Sequence, residues 1–470
     1  VKTVTVIFED HNLARMRPVS WGTPVFEIRC GMFSTRERVD LCSGGSGGVL
    51  LGRSFLRGLN GATSWKWGAE EVAALAGGDS RFLFINGILA PDASLVTELL
   101  ALGDGPEFCW RNEQGLMAAL VDPETAVGLA NGWAAWEQTC ANRDAWRDPA
   151  REVPAWSGDI GEVPSLGSPL QEGLDSRQNE GPRWVWGIVP ATSGAIAGDL
   201  ELAREAGSYH RQPFGITALN RDIEPVWAGP MTLKSLNEGL PGGGVEGLTV
   251  DNPGRVFVGG RVDLAPGTAL NTAAGPIILE HGVTVMPHCY LEGPLFIGAG
   301  SLVKPGSRLH GESSFGIVNR LAGEVGESTF GDFANKQHEG FIGHAVLGSW
   351  INLGAMTTCS DLKNNYGQIR VDLGAGPVDT GSRFVGLMLG DHAKTAIGTL
   401  FNTGTCVGFA SNIFGPGMPP KFVGNFRWGG QEGSPAYAVD RALDTAAVVM
   451  GRRGCAFTPA HLDLFRVLGG

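Results

Sequence analysis

Across residues 279–309 an aliphatic side chain returns at every sixth position, at Leu279, Val285, Leu291, Ile297, Val303 and Leu309, with Gly, Pro, Ser and short polar residues between. A helix repeats its apolar face every 3.6 residues and a strand every second residue, so a period of six belongs to neither alone. It predicts a chain that runs one short strand, turns a corner and repeats, three steps closing a triangular coil with the aliphatic residues inside. Such coils stack as parallel strands about 4.8 Å apart. The frame is already present at Val250, Val256 and Val262, continues through the pairs Ile342-Gly343, Leu347-Gly348 and Leu353-Gly354, and returns at Leu389, Phe401, Val407 and Ile413 with Thr395 among them. A parallel β-helix over 246–425 follows.

The first half has another rhythm. Residues 4–8 (VTVIF) read as a buried strand ending in Glu9-Asp10, and residues 81–85 (RFLFI) as a second ending at Asn86-Gly87. Helical patterns at 69–76 and 94–102 alternate with them, which predicts an α/β, Rossmann-like domain over 1–187 with its ligand site at the carboxyl ends of the strands. Pro149, Pro154, Pro164, Pro169 and Pro182 mark an irregular excursion at 141–183. Residues 191–206 carry a helical pattern within a linker spanning 188–245, which closes on the breakers Pro241 to Gly244, and 426–470 form a C-terminal tail.

Composition narrows the class. At 470 residues the chain exceeds one ordinary core, and 72 glycines suit a fold that turns a corner every few residues. A net charge of −12 excludes nucleic acid or an anionic membrane as the main partner. The eight cysteines show no C-x-x-C spacing and read as free buried thiols in a reducing compartment. No apolar run reaches the roughly 18 residues of a membrane span, and the expected location is cytoplasmic.

Chemistry-bearing residues gather in three places. Arg15, Arg17, Arg29, Arg36 and Arg38 lie close enough in sequence to clamp a phosphate, the alternative being a solvated helix face with Arg36 and Arg38 outward. The run Gly44-Gly45-Ser46-Gly47-Gly48 lacks the Lys of a phosphate loop and reads as a surface loop. Within the β-helix, residues 335–344 (NKQHEGFIGH) and 350–367 (WINLGAMTTCSDLKNNYG) place His, Lys, Asn and Tyr on adjoining coils. A wall of repeats does not need them.

The N-K-x-H and N-L-G-A-x-T-T-x-S-D-L-K-N-N-Y-G patterns resemble the acyltransferase domain of the bifunctional N-acetylglucosamine-1-phosphate uridyltransferase/glucosamine-1-phosphate acetyltransferase family. The stretch 17–38 is similar to the N-terminal domain of a divergent sugar nucleotidyltransferase branch of it. The resemblance implies a left-handed β-helix, a homotrimer, acetyl-CoA bound between subunits, N-acetylation of an amino-sugar phosphate, and nucleotidyl transfer with Mg2+ in the N-terminal domain. It places His338 at the general-base position, where a neutral imidazole takes the proton of an attacking amine, with His344 the competing candidate. Lys336, Arg320, Asn352, Ser360, Asp361 and Tyr366 become candidate substrate contacts. Gly354, Ala355 and Gly386 become acetyl-CoA contacts, with Gly354 and Ala355 offering oxyanion donors, and Asp10, Arg17, Arg29, Arg36 and Asn86 become nucleotide contacts.

Departures accompany the match. Phe341 stands where a Tyr is expected, Leu387 where a Ser is expected, and Asn86 where the metal-binding Asp belongs; residues 9–17, which follow the first strand, contain no glycine. A catalytically silent trimeric scaffold or sugar-nucleotide-binding protein is the second reading. A zinc hydratase is disfavoured by the spacing of His338 and His344, and no metal ligand set is expected.

Overall fold

A computed structural model of the chain describes residues 2–148, 150–179, 181–216, 226–228, 231–233 and 247–470. Six strands, β1 (Lys2–Phe8), β2 (Gly48–Leu51), β3 (Trp65–Trp67), β4 (Ser80–Asn86), β5 (Phe108–Asn112) and β6 (Gly115–Val121), form one sheet in the order β3-β2-β1-β4-β6-β5. β1 lies between parallel neighbours β2 and β4, whereas β6 runs antiparallel. Covered on both faces, β1 is an unbroken apolar run in which Val6, Ile7 and Phe8 are fully buried.

Helices α1 (Thr35–Cys42), α2 (Ala69–Leu75), α3 (Ala93–Ala101) and α4 (Pro123–Asn142) accompany this sheet. Their starts are written locally: Ser34 and Glu37 form a capping box on α1, and the Asp92 and Asp122 carboxylates accept from the first free N–H groups of α3 and α4. The stretch expected to be irregular contains α5 (Ser168–Asn179). Flanking prolines hide its periodicity, yet it docks through Trp110 Nε1, which donates to Asp175 at 2.8 Å, and Gln178, which accepts from Ala90 N at 2.7 Å. Pro149 and the breakers 241–244 lie outside the described residues.

From Thr249 the chain winds into a left-handed parallel β-helix with three faces. The docked face runs from Val256–Val258 to Phe422–Val423, the second face includes Asn335–Lys336, and the third includes Phe341–Gly343. All six residues from Leu279 to Leu309 that set the repeat are fully buried in the prism, each stabilising it by roughly 1.5–3 kcal/mol. Corners are turned with left-handed backbone. Between the docked and second faces, successive coils place Gly282, Gly300, Val318, Phe333, Trp350, His392, Ala410 and Phe426 at positive φ. This conformation costs a non-glycine residue about 1 kcal/mol or more. Here it is offset by stacking, because the coil repeat spaces equivalent rings for face-to-face contact: Phe333 on Trp350 at 4.1 Å and Trp350 on His392 at 6.1 Å.

The α/β domain sits on the docked face. Helix α6 (Ile188–Ala206) lies between them, packing Ile196 and Leu200 with Phe257, Ile278 and Phe296 of the β-helix. Its Asp199 is buried and receives the Arg38 guanidinium at 2.7 and 2.8 Å and the Met32 N–H at 2.8 Å. Arg211, also buried, bridges Glu37 on α1 to Glu280 on the β-helix. Arg29 reaches Asp332 at 3.1 Å. Residues 426–470, unread from sequence, fold into α7 (Val439–Arg452) and α8 (Pro459–Gly469), with Phe465 packed edge-on against His392 and Phe409.

Asp391 is a buried carboxylate in this interface without a cationic partner among the described residues. Its carboxylate accepts from Ser349 N at 2.7 Å and Thr23 Oγ1 at 3.2 Å. A Cβ on Gly22 would stand 2.4 Å from it, which explains a glycine there. Burial pushes the Asp391 carboxyl up to about 7, reinforced by the charge of Asp332. Because the folded group binds its proton more tightly than the unfolded one, it costs stability progressively as pH rises from 3.8 towards 7. Asp391→Asn keeps the shape without the charge. In urea titrations the wild type should lose stability relative to this variant across that window, and a difference that does not change with pH would refute the role.

Candidate functional site

The carboxyl ends of β1 and β4 form the place where such a sheet presents a ligand. Here the chain's own residues fill it. Glu9 and Arg53 make a fully buried ion pair at 2.9 Å, and 3-10 turns from His11 to Glu27 cover it. Asp10 and Asn86 are both buried and bonded to each other at 2.9 Å, with Asn12 completing the carboxylate's shell. Burial raises the Asp10 carboxyl. A Mg2+ ion needs ionised, accessible oxygens, so Asp10 and Asn86 as arranged do not fit one. Among the described residues no group of three or more His, Cys, Asp or Glu is placed to hold a metal.

The arginine cluster is not a phosphate clamp either. Arg36 is paired with Glu27 and Arg38 with Asp199, both buried, which overturns the clamp and the outward helix face alike. Arg17 stacks on Trp21 at 4.2 Å and donates to Ala145 O, and Arg29 is held by Asp332 and by Met32 O. Arg15 lies over Trp184. Five fixed charges in sequence proximity are consumed by the domain's internal and interdomain contacts.

On the β-helix the candidates separate by corner. His338 is exposed at the corner between the second and third faces. Lys336 does not accompany it into solvent. It occupies the inward position that Leu321 takes one coil earlier, and its ammonium donates to Ala322 O and His338 O, each at 2.8 Å. Burial lowers it to about 8. Lys336 therefore fixes the His338 backbone and is not presented to a phosphate. Arg320 donates to Gly300 O and Asn319 O, and Asn352 pairs with Asn335 in a ladder along the second face.

Of the expected oxyanion donors, the Gly354 N–H is engaged. Gly354 N–H bonds the Thr395 carbonyl and hydroxyl, and Ala355 offers its carbonyl to Gly398. Gly386 N–H donates to His344 O at 2.8 Å, and a Cβ there would lie 1.9 Å from Gly343 O, so this glycine seals the loop's return to the coil. Ser360 bonds Leu362 O, and Tyr366 stands exposed on the same loop.

One candidate is brought into a chemically defined arrangement. At the corner between the third and docked faces, His344 Nδ1 lies 2.8 Å from Asp361 Oδ2, and its ring stacks on Phe384 at 4.9 Å. Both partners come from the loop 360–386, which interrupts the stack and carries the hairpin Arg370–Asp372/Pro377–Asp379. A carboxylate on one nitrogen fixes the tautomer that leaves the other as acceptor. Sequence proximity could not show that a residue 17 positions later supplies it.

Comparison with known proteins agrees with this architecture. Residues 5–140 match the family model described as sugar nucleotidyl transferase. The chain is 26% identical over 152 residues to a bifunctional sugar-1-phosphate nucleotidylyltransferase/acetyltransferase of Sulfurisphaera tokodaii, covering 32% of this chain and 38% of that protein. It is 35% identical over 111 residues to the bifunctional protein GlmU of Methylococcus capsulatus, covering 23% of each. In these parts the chain is similar to bifunctional transferases. The aligned parts span well under half the length of either relative. No described helix is long and apolar enough to cross a membrane.

The inward lysine gives a direct test. Its folded-state affinity for the proton is below that of the unfolded chain, so the unfolded state binds more protons between pH 8 and 10.5 and stability rises with pH there. Wild-type protein should gain stability relative to Lys336→Met as pH is raised through this window. A constant offset between the two would show that the ammonium is solvated.

Proposed function

We propose that the β-helix domain transfers an acetyl group from acetyl-CoA to the amine of an amino-sugar phosphate, with His338 as general base, in a homotrimeric cytoplasmic enzyme. The observation that carries this reading is the exposed His338 on an N-K-x-H corner whose main chain is pinned by the buried Lys336. In the step, the amine nitrogen bonds to the thioester carbon, His338 takes the amine proton, and the C–S bond breaks, the leaving sulfur receiving that proton from His338 so that CoA departs as its thiol. Arg320 and Asn352, on the neighbouring coils of the second face, are the substrate contacts that remain accessible in this scheme.

The N-terminal domain retains a sugar nucleotidyl transferase framework, and we read it as a scaffold or sugar-nucleotide binder without turnover. The buried Asp10, Asn86 and Glu9–Arg53 group supports that reading, because a triphosphate would have to displace them.

Thiol release from acetyl-CoA with a panel of amino-sugar phosphates tests the proposal. Seven of the eight cysteines are buried, so the protein's own thiols add little background. His338→Ala should lower the turnover number by about 10² to 10⁴-fold, and an undiminished rate would remove His338 from the mechanism. Pyrophosphate release from UTP should not be detected with the same preparation.

A further inference from the structure

A cleft of about 440 Å³ separates the segment before α6 from the His344 corner. Its walls include Arg183, Trp184, Trp186, Glu312, His344 and Phe384. It lies at the opposite end of the strand Phe341–Gly343 from His338, and it is built within one chain from both domains.

Three features define its chemistry. Trp184 and Trp186 stack on each other at 4.9 Å on one wall, and His344 and Phe384 stack at 4.9 Å on the other, so two aromatic walls flank the space. One carboxylate, Glu312, is exposed on the wall, and two more stand behind the imidazole: Asp361 holds His344 Nδ1, and Glu327 lies 4.0 Å from the same nitrogen. Burial raises the Glu327 carboxyl, and the charges of Asp361 and Glu312 raise it further. Among the described residues that line the cleft, the one arginine, Arg183, is paired with Glu113 and bonded to Asn179. Finally, His344 Nε2 has no partner among the described residues, and it is an acceptor in the neutral ring whose Nδ1–H donates to Asp361.

We infer that this cleft binds an amine-bearing saccharide without a phosphate, its ring between the aromatic walls and its ammonium against Glu312 and His344 Nε2, with Asp361 and Glu327 behind the imidazole. Aromatic faces cover the C–H face of a ring and attract a nearby cation. A protonated amine satisfies acceptors that a neutral sugar leaves short of donors, whereas a phosphate is repelled by the carboxylates. The site differs in charge preference from the acyl-transfer corner, and its occupation does not depend on acyl transfer.

Saturation-transfer NMR on the full chain tests this, with glucosamine as the probe and glucose and glucosamine 1-phosphate as competitors. Glucosamine should bind saturably, and both competitors should need at least about 10-fold higher concentration to displace it. Glu312→Gln and Asp361→Asn should each weaken binding several-fold without moving the unfolding midpoint, and His338→Ala should retain it. Displacement by the phosphorylated sugar at equal concentration, full affinity in both carboxylate variants, loss of binding in His338→Ala, or no saturable signal up to about 50 mM would each overturn the assignment. Failure of the acyl-transfer assay leaves these outcomes unaffected.

Discussion

The inward side chain of each β-helix strand is the constraint on which the rest depends. A coil of two- and three-residue strands has no helix to nucleate it and no face it can bury alone, so its stability is shared with the coils above and below. Every position between two inward residues must then complete a corner within a few residues, and left-handed backbone is how the chain does so. Where glycine fills that position the turn is sterically free. Where Phe333, Trp350 and His392 fill it, the backbone cost is met by stacking, which is available because equivalent corners recur at a spacing that suits aromatic rings.

The same regularity makes the docked face a flat platform, and the α/β domain is fastened to it by charge as well as by apolar contact. Buried ion pairs do not by themselves make an interface stable, because desolvation opposes the Coulomb attraction. What they do is fix which groups must meet. Arg211 joins Glu37 to Glu280, and Arg29 joins the domain to Asp332. Once these arginines are committed to the fold they are unavailable to a phosphate. The basic stretch that resembles a nucleotide clamp in one dimension is, in three, spent on internal pairs and, through Arg29, on the contact with the β-helix.

Periodic features were legible from sequence and convergent ones were not. The six-residue repeat reported the β-helix directly, and the apolar runs of β1 and β4 reported the sheet, because each pattern is set by local geometry. The N-K-x-H motif marked one corner of the β-helix, but it could not reveal that Lys336 points inward, since the lysine sits at a position where the repeat calls for an aliphatic residue and the motif masks the frame. Helix α5 was obscured by flanking prolines. Asp361 as partner of His344, and Asp199 and Glu280 as partners of buried arginines, depend on contacts across 17 to 161 residues, for which spacing carries no signal.

The three corners of the β-helix have been put to different uses, and the differences follow from what each one faces. The corner bearing Phe333, Trp350 and His392 is closed by α7 and α8, through Met450 and Phe465, so its aromatic ladder is a packing surface. The corner bearing His338 is covered by neither the α/β domain nor the C-terminal helices, and its exposed side chain stands on a backbone held by an internal ammonium. The corner bearing His344 receives the loop 360–386 on one side and the segment before α6 on the other, so it gains a carboxylate partner, an aromatic lid and an enclosed volume at once. A repeat supplies identical scaffolding at each of these places. Chemistry arises where something outside the repeat is brought against it, which is why the interruption after Cys359 creates a cleft in a wall that would otherwise have none.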